Sequence, residues 1–155
     1  MATLLDSPDA LRDPEQEQFR LEGWITTAPF EDLLQMQIDE AVSGRAVLRM
    51  PFTVKHSMGG GLMHGGALTS LADTAVAMAI KSVLNPGTHF ATLDLQARFL
   101  APVREGEVRA EAQVDGPHGR DFKGEARIFD ASGQEVYFFS SLFRVARGQG
   151  YDDAG

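Results

Sequence analysis

The chain has 155 residues, 43% of them hydrophobic, with a formal net charge of −8 at pH 7 and no cysteine. This length and composition indicate one globular domain with a sizeable core, and an acidic chain without a basic run argues against a general nucleic-acid or membrane-surface binder. The absence of cysteine excludes disulfides, thiol catalysis and cysteine metal sites. The first residues lack a basic and an apolar region, so we expect no signal peptide, no membrane attachment and a cytoplasmic protein.

The first part of the chain combines a polar arm with a strand hairpin. Residues 1–22 are polar and acidic, and we interpret residues 1–28 as an N-terminal arm that Trp24 anchors to the body. Pro29 begins a segment that reads as one helical turn. From residue 35, apolar and polar residues alternate on both sides of Ser43-Gly44, and this period of two predicts a β-hairpin.

The stretch from Met58 to Leu84 is a glycine-rich loop followed by a long helical pattern. Apolar residues recur at intervals of three and four from Leu68 onward, so the helix should be buried on most of its circumference. Asp73 falls at the margin of the apolar stripe, and Lys81 falls on the far side, where we expect water. Because a carboxylate is seldom buried without a partner, position 73 is either a wet edge or part of a site.

Four segments of alternating apolar and polar residues follow the helix, and residues 148–155 are expected to form a flexible tail. In the first of these segments, Leu93 and Phe99 belong to the apolar set, while Thr92 and Arg98 belong to the polar set. Two strands, one helix and four strands in a meander predict an α+β fold, in which an antiparallel sheet of about six strands curls around one long central helix. We therefore interpret residues 1–155 as a single domain.

Three motifs carry a resemblance to a known family, and they span roughly residues 29–146. They are Pro29-Phe30 with the hairpin, His64-Gly65-Gly66 with Leu71-Ala72-Asp73-Thr74-Ala75, and Thr92-Leu93-Asp94-Leu95 leading to Phe99-Leu100-Ala101-Pro102. In this combination the chain resembles the hotdog-fold acyl-CoA thioesterases of the phenylacetic-acid-degradation (PaaI-like) type. The resemblance implies hydrolysis of an acyl- or aryl-acyl-CoA thioester by a homodimer with active sites at its interface, and two such dimers in a homotetramer.

The resemblance also implies roles for particular residues. The backbone amide of Gly65 would polarise the thioester carbonyl, Asp73 of the other subunit would act as general base or nucleophile, and Thr92 would help to place the attacking water. The chain departs from the family pattern at Met58, where many relatives carry an asparagine that orients substrate or water. The residues assigned to substrate binding, with Arg98 as a candidate for the phosphates of coenzyme A, are His64, Gly66, Met58, Gly61 and Arg98.

The spacing of Gly65 and Asp73 has its own consequence. Eight residues of helix rise by roughly 12 Å at about 1.5 Å per residue, so Asp73 cannot reach an oxygen bound at the start of its own helix. In a two-fold dimer with antiparallel helices, Asp73 of one chain could face Gly65 of the other. Amide donors at a helix start suit the negative charge that develops on a thioester carbonyl, and a semi-apolar cleft should raise the pKa of the carboxylate.

Each assignment has a simpler alternative. Asp73 could face solvent, Gly65 and Gly66 could serve only close helix packing, His64 could be structural, and Thr92 could be an ordinary strand residue. A hotdog-fold enoyl-CoA hydratase or dehydratase would need a second acid–base group such as His56 or His64, and Met58 leaves open a non-catalytic acyl-CoA-binding protein. The four histidines lack ligand-like spacing with carboxylates, so we predict no metal site and no cofactor besides the coenzyme A of the substrate.

Overall fold

Strands and helices cover most of the part of the chain that the structure, a computed structural model, describes, which is residues 1–151. In chain order they are β1 (Thr3–Leu4), β2 (Phe19–Arg20), α1 (Pro29–Leu33), β3 (Gln37–Val42), β4 (Arg45–Met50), α2 (Gly65–Lys81), β5 (Phe90–Phe99), β6 (Val108–His118), β7 (Asp121–Phe129) and β8 (Glu135–Val145). The predicted helical turn, hairpin and long helix are thus present. No helix within residues 1–151 is long and apolar enough to span a membrane.

The six strands β3 to β8 form one antiparallel sheet in the order β3-β4-β6-β7-β8-β5. The predicted meander of four strands is wrong, because β5 pairs with β8 at the sheet edge and β6 pairs with β4. Residues 100–107 make this possible by crossing the end of the sheet beside the loop before α2, where the Met63 amide donates to the Val103 carbonyl at 2.9 Å. Alternation indicates the face of each side chain but not its neighbouring strand.

The sheet curls around α2, and the core lies between them. Inward side chains of β6, β7 and β8 alternate with outward ones, as in Phe122, Ala126 and Ile128, which are all buried. On β7, Gly124 lies so close to Val76 of α2 that a Cβ at this position would overlap the valine side chain. The close approach lets one helix fill the concave face of the sheet.

One stripe of α2 is left uncovered. Every fourth residue from the start to the end of the helix is incompletely buried, namely Gly65, Thr69, Asp73, Ala77 and Lys81. This row of mostly small and polar residues lies at the β5 edge of the sheet, where Thr92 contacts Asp73, and the predicted position of Asp73 at the margin of the apolar surface is confirmed. The candidate catalytic groups of the helix therefore lie on its one accessible side.

The N-terminal arm covers the end of α2, and this contradicts the expectation that Lys81 faces water. Lys81 Nζ donates to the Trp24 carbonyl at 3.1 Å and lies 4.8 Å from the centre of the indole ring. Trp24 Nε1 in turn donates to the Lys81 carbonyl at 2.9 Å, so the predicted anchoring by Trp24 is confirmed. Helical periodicity describes an isolated helix and does not include a distant segment that returns over its last turn.

The predicted flexible tail, 148–155, lies partly outside the described residues. Within the described part, Gln149 Oε1 accepts a hydrogen bond from the His89 amide at 3.2 Å, and Tyr151 packs against the core. The chain thus remains in contact with the body of the protein as far as Tyr151.

Candidate active site

The carboxylate predicted to act as a base is half-buried on the uncovered side of α2. Thr92 Oγ1 of β5 donates a hydrogen bond to Asp73 Oδ1 at 2.8 Å. Burial raises the pKa of Asp73 above its ordinary value, and the Thr92 hydroxyl offsets part of this rise. A raised pKa suits a group that accepts a proton near neutral pH. The structure therefore brings together two of the residues predicted for the site.

A cleft of about 370 Å³ opens beside Asp73 and Thr92. We name it the Asp73 cleft. The helix from Asp73 to Lys81 forms one side, and the start of β5 and Trp24 of the arm form others. The rest of the lining combines the aromatic or apolar residues Trp24, Ala77, Phe90, Ala91 and Phe143 with the polar residues Thr88, His89 and Thr92. The cleft can accept an apolar group whose reacting atom lies at the carboxylate.

The alternation along β5 predicts that Thr92 and Arg98 share a face, and this is wrong. The register with β8 shifts between Thr92 and Asp94, so a bulge at Leu93 changes the alternation. Thr92 points to α2, whereas Arg98 is exposed and pairs with Phe138 on the outer face of the sheet. The role of Arg98 in binding coenzyme A remains a prediction.

The other predicted residues lie at the start of α2, around a second cleft of about 350 Å³. We name it the Gly65 cleft, and its lining includes Met58, Leu62, Phe99 and Leu100. A Cβ at position 65 would lie 2.9 Å from Phe99 Cε1, so glycine at this position permits close packing against the ring. This part of the alternative reading of Gly65 is correct, and it does not exclude a role for the backbone amide.

The amides at the start of α2 are used unequally. Gly66 N–H donates to His64 Nδ1 at 2.8 Å, and the amides of Ala67 and Leu68 donate to the His64 carbonyl at 2.9 and 3.2 Å. The Gly65 N–H has no acceptor within residues 1–151. An unpaired N–H at the N-terminus of a 17-residue helix is a suitable donor for a developing negative charge.

Two histidines near the Gly65 cleft have structural hydrogen bonds. His64 caps α2 through Nδ1, which favours its structural role. His56 is buried, its Nε2 donates to the Leu34 carbonyl at 2.6 Å, and its Nδ1 accepts from the Thr53 amide at 3.1 Å. Because both ring nitrogens of His56 are engaged, it does not supply the second acid–base group that hydration of an enoyl thioester would require.

The loop before α2 places Met58 where the family pattern has asparagine. The Gly61 amide donates to the Met58 carbonyl at 2.9 Å, and Gly61 has φ +84°, a conformation that favours glycine. Met58 is 42% exposed, so its thioether presents an apolar surface to the Gly65 cleft in place of an amide side chain. Gly61 shapes the turn and does not itself line this cleft.

The two clefts have no lining residue in common, so one chain does not place Asp73 and Gly65 around one reacting atom. Sequence reasoning did not assign Lys81 or Phe143 to the Asp73 cleft. The spacing of eight residues between Asp73 and Lys81 could have signalled the lysine, because two helical turns return it near the same side. Within residues 1–151, no group of three His, Cys, Asp or Glu side chains is arranged to hold a metal ion.

A larger cleft, of about 630 Å³, lies under the N-terminal arm beside Asp32 and Glu107. Both carboxylate oxygens of Asp32 already accept hydrogen bonds, from the Thr27 hydroxyl at 2.5 Å and from the Ala2 amide at 2.7 Å. None of the candidate site residues lines this cleft. We therefore do not assign the reaction to this cleft, although it is larger than the Asp73 and Gly65 clefts.

Comparisons with known proteins agree with the fold. Residues 60–137 match the thioesterase superfamily. A protein of Halobacterium salinarum, provisionally named an esterase, is 30% identical over 107 residues, which cover 66% of this chain and 70% of the relative. The match to the superfamily includes Gly65, Asp73 and Thr92.

Solved structures give the same result. A conserved protein of Pseudomonas aeruginosa superimposes with a TM-score of 0.74 at 27% identity, over 77% of this chain and 95% of that one. The PaaI protein of the Escherichia coli phenylacetic acid degradation operon superimposes with a TM-score of 0.72 at 28% identity, over 79% and 87% of the two chains. The chain therefore belongs to the thioesterase superfamily, and it is a hotdog-fold thioester hydrolase of the PaaI-like type.

Proposed function

We propose that the protein is an acyl-CoA thioesterase that hydrolyses an acyl- or aryl-acyl-CoA to the free acid and coenzyme A, without a separate cofactor. Its active unit is a homodimer, in which Asp73 of one subunit and the Gly65 amide of the partner act on the same thioester. The observation that supports this most is the separation of the two groups into two clefts of one chain, each equipped for half of the reaction.

Asp73 is suited to activate the attacking water. Its carboxylate is half-buried, its pKa is raised by burial, and Thr92 Oγ1 holds Oδ1 in place at 2.8 Å. As a general base it takes one proton from water while the water oxygen bonds to the thioester carbon. The C–S bond then breaks, and the thiolate of coenzyme A receives a proton. As a nucleophile, the carboxylate would instead form an anhydride that water cleaves.

Gly65 is suited to stabilise the oxygen of the same carbonyl. Its N–H has no acceptor within residues 1–151, and it lies at the N-terminus of α2, the positive end of the helix dipole. The carbonyl oxygen gains negative charge as the water adds, and a fixed N–H donor lowers the energy of this state. The Gly65 cleft is otherwise apolar around Phe99, and exclusion of water there strengthens the hydrogen bond.

The edge strand β5 supports the homodimer. Within the described sheet, β5 pairs with β8 on one side and has no strand partner on its other side. Large apolar side chains along it are exposed, with Leu93 at 53%, Leu95 at 40% and Phe99 at 59%. A long edge strand in a monomer exposes unpaired backbone groups and, here, apolar side chains. Pairing with a second copy would satisfy the backbone groups and cover the side chains.

A two-fold axis at this edge would also place the helices correctly. Two β5 edges that pair in antiparallel fashion bring the uncovered stripes of two α2 helices together in opposite directions. The small residues of the stripe allow close approach, and Asp73 then lies opposite the partner's Gly65. In accordance with the family resemblance, we extend the proposal to a homotetramer of two such dimers, which sedimentation analysis would test.

A hydrolysis screen over short, medium, long and aromatic acyl-CoAs tests the proposal. We expect hydrolysis of at least one class, and a loss of about 100- to 10,000-fold in kcat for Asp73→Asn, the range typical of general-base catalysis. Asp94→Asn is the matched control, since this aspartate is exposed and lies beyond the bulge of β5. Hydrolysis that survives in Asp73→Asn, or binding of CoA esters without any turnover by the unaltered protein, would contradict the proposal.

A further inference from the structure

A half-buried lysine closes the end of the Asp73 cleft that lies farthest from Asp73. Lys81 is on the same helix two turns further on, a rise of about 12 Å, and its side chain lines the same cleft. The Lys81 ammonium lies beside Trp24, which lines the same cleft. A basic group therefore lies opposite the reacting end.

The surroundings of Lys81 leave its charge incompletely compensated. Nζ donates to the Trp24 carbonyl at 3.1 Å and lies over the indole face at 4.8 Å, which leaves two of its three N–H donors without an assigned acceptor. No carboxylate within residues 1–151 forms an ion pair with it, although the more distant Glu31 acts on it electrostatically. Burial lowers the pKa of Lys81, and an anion in the cleft would oppose this effect.

The space between the two charged ends suits an acyl chain. Its lining includes Ala77 together with the rings of Trp24, Phe90 and Phe143. These side chains suit methylene groups or an aromatic ring, and Thr88 and His89 line the same cleft. In the proposed reaction the thioester lies at Asp73, and the acyl group and coenzyme A extend from it in different directions, so an acyl group that enters this cleft would carry an anion at its far end to Lys81.

We propose that Lys81 is a specificity-determining residue that binds a carboxylate at the far end of the acyl group, so that the preferred substrates are coenzyme A monoesters of dicarboxylic acids. The inference rests on the proposed thioesterase function and narrows its substrate class. Trp24 has a positioning role, because the arm that it anchors completes the wall of the cleft and holds the Lys81 ammonium.

The test compares pairs of substrates of matched length. Values of kcat/KM are measured for adipoyl-CoA against hexanoyl-CoA and for suberoyl-CoA against octanoyl-CoA, with the unaltered protein and with Lys81→Met. We expect the unaltered protein to prefer the carboxylated member of at least one pair. Lys81→Met should reduce that preference by about 10-fold or more, the effect of losing a charge-assisted hydrogen bond. Lys81→Arg should retain most of it.

Two controls separate recognition from structure. Trp24 Nε1 donates to the backbone carbonyl of Lys81, so Lys81→Met keeps this hydrogen bond, and acrylamide should quench the emission of Trp24, the only tryptophan of the chain, no more than in the unaltered protein. Lys123→Met removes the same charge from an exposed position on β7 and should leave the preference intact. If Lys81→Met does not fold, Lys81→Gln replaces it in the same comparison.

The outcomes distinguish this inference from the function on which it rests. Absence of hydrolysis for all acyl-CoAs would refute the thioesterase assignment. Hydrolysis without a preference for carboxylated substrates would overturn only the role of Lys81. A uniform fall in kcat/KM on every substrate after Lys81→Met would also overturn it, because that result would assign the lysine to coenzyme A or to structure. A selective loss on the carboxylated members would support it.

Discussion

The Asp73 cleft and the Gly65 cleft differ in the kind of group that they offer. The first presents side chains that can gain or lose a proton or hold a charge, with Asp73 at one end and Lys81 at the other. The second presents a backbone amide within an apolar lining that includes Met58 and Phe99. One cleft is equipped to move protons and the other to stabilise charge, and thioester hydrolysis needs both.

Because of this difference, we expect the two clefts to tolerate substitution differently. A side chain such as Asp73 can be replaced by an isostere with little change to the helix that carries it. The Gly65 amide belongs to the backbone, and the residue also contacts the Phe99 ring, so most substitutions there change packing as well as chemistry. A useful variant must therefore remove either the Asp73 carboxylate or the Gly65 amide and leave the other group unchanged.

The first comparison between the clefts deletes the Gly65 amide, and we expect it to have a larger effect than the two that follow. Gly65→Pro deletes the N–H at the first helical position, where proline is tolerated, and His64 already has the extended conformation, φ −62° and ψ 130°, that a residue before proline adopts. We expect kcat to fall by about 100- to 1,000-fold, as for other oxyanion donors. Gly65→Ala keeps the N–H but adds the Cβ near Phe99, and steady-state kinetics should show a much smaller loss. Equal losses in the two variants would assign the effect to packing.

A smaller effect tests the pairing of Asp73 with Thr92. The Thr92 hydroxyl stabilises the charged form of Asp73, so Thr92→Val should raise the pKa of this carboxylate further. The acidic limb of the pH profile of kcat/KM should then move to higher pH, because the base is ionised only above its pKa. Ser70→Ala, which removes a hydroxyl bonded to the Gly66 carbonyl on the same helix, is the control. A limb that stays in place would mean that Asp73 does not control it.

The smallest expected effect is on stability. Because burial raises the pKa of Asp73 in the folded protein, the folded state binds more protons than the unfolded state between the ordinary and the raised pKa. Stability therefore falls as pH rises through this window, and the penalty persists above it. Asp73→Asn keeps an acceptor for Thr92 and should give a slightly higher Tm at neutral pH, with no gain below the ordinary pKa of aspartate. Calorimetry at two pH values measures this, and a lower Tm at neutral pH would contradict it.

Sequence patterns predicted the elements of the fold better than their arrangement. Periodicity located α2 and the strands, because burial of one face fixes the spacing of apolar residues. It did not predict that β5 lies at the sheet edge, since alternation carries no information about neighbours. Nor did it predict the bulge at Leu93, which places Thr92 and Arg98 on opposite faces. One extra residue in a strand leaves no clear trace in a pattern of period two.

The candidate site was predictable where a motif named its residues. Asp73, Gly65 and Thr92 were assigned through the family resemblance, and the spacing of the first two predicted that a second subunit completes the site. We predicted that Lys81 faces water, because the helical pattern does not show that Trp24 of the arm contacts it. Contacts between segments 57 residues apart arise from tertiary structure, which local periodicity does not encode.

The most direct test of the account is subunit mixing. Asp73→Asn and Gly65→Pro chains with different affinity tags are co-expressed, the proposed tetramer is dissociated into dimers, and dimers that carry both tags are purified. If each active site combines Asp73 of one subunit with Gly65 of its partner, every mixed dimer has one intact site and one doubly altered site, and kcat per dimer should recover to about half that of the unaltered protein. Mixed dimers as inactive as either parent would show that the two groups do not act across the subunit interface.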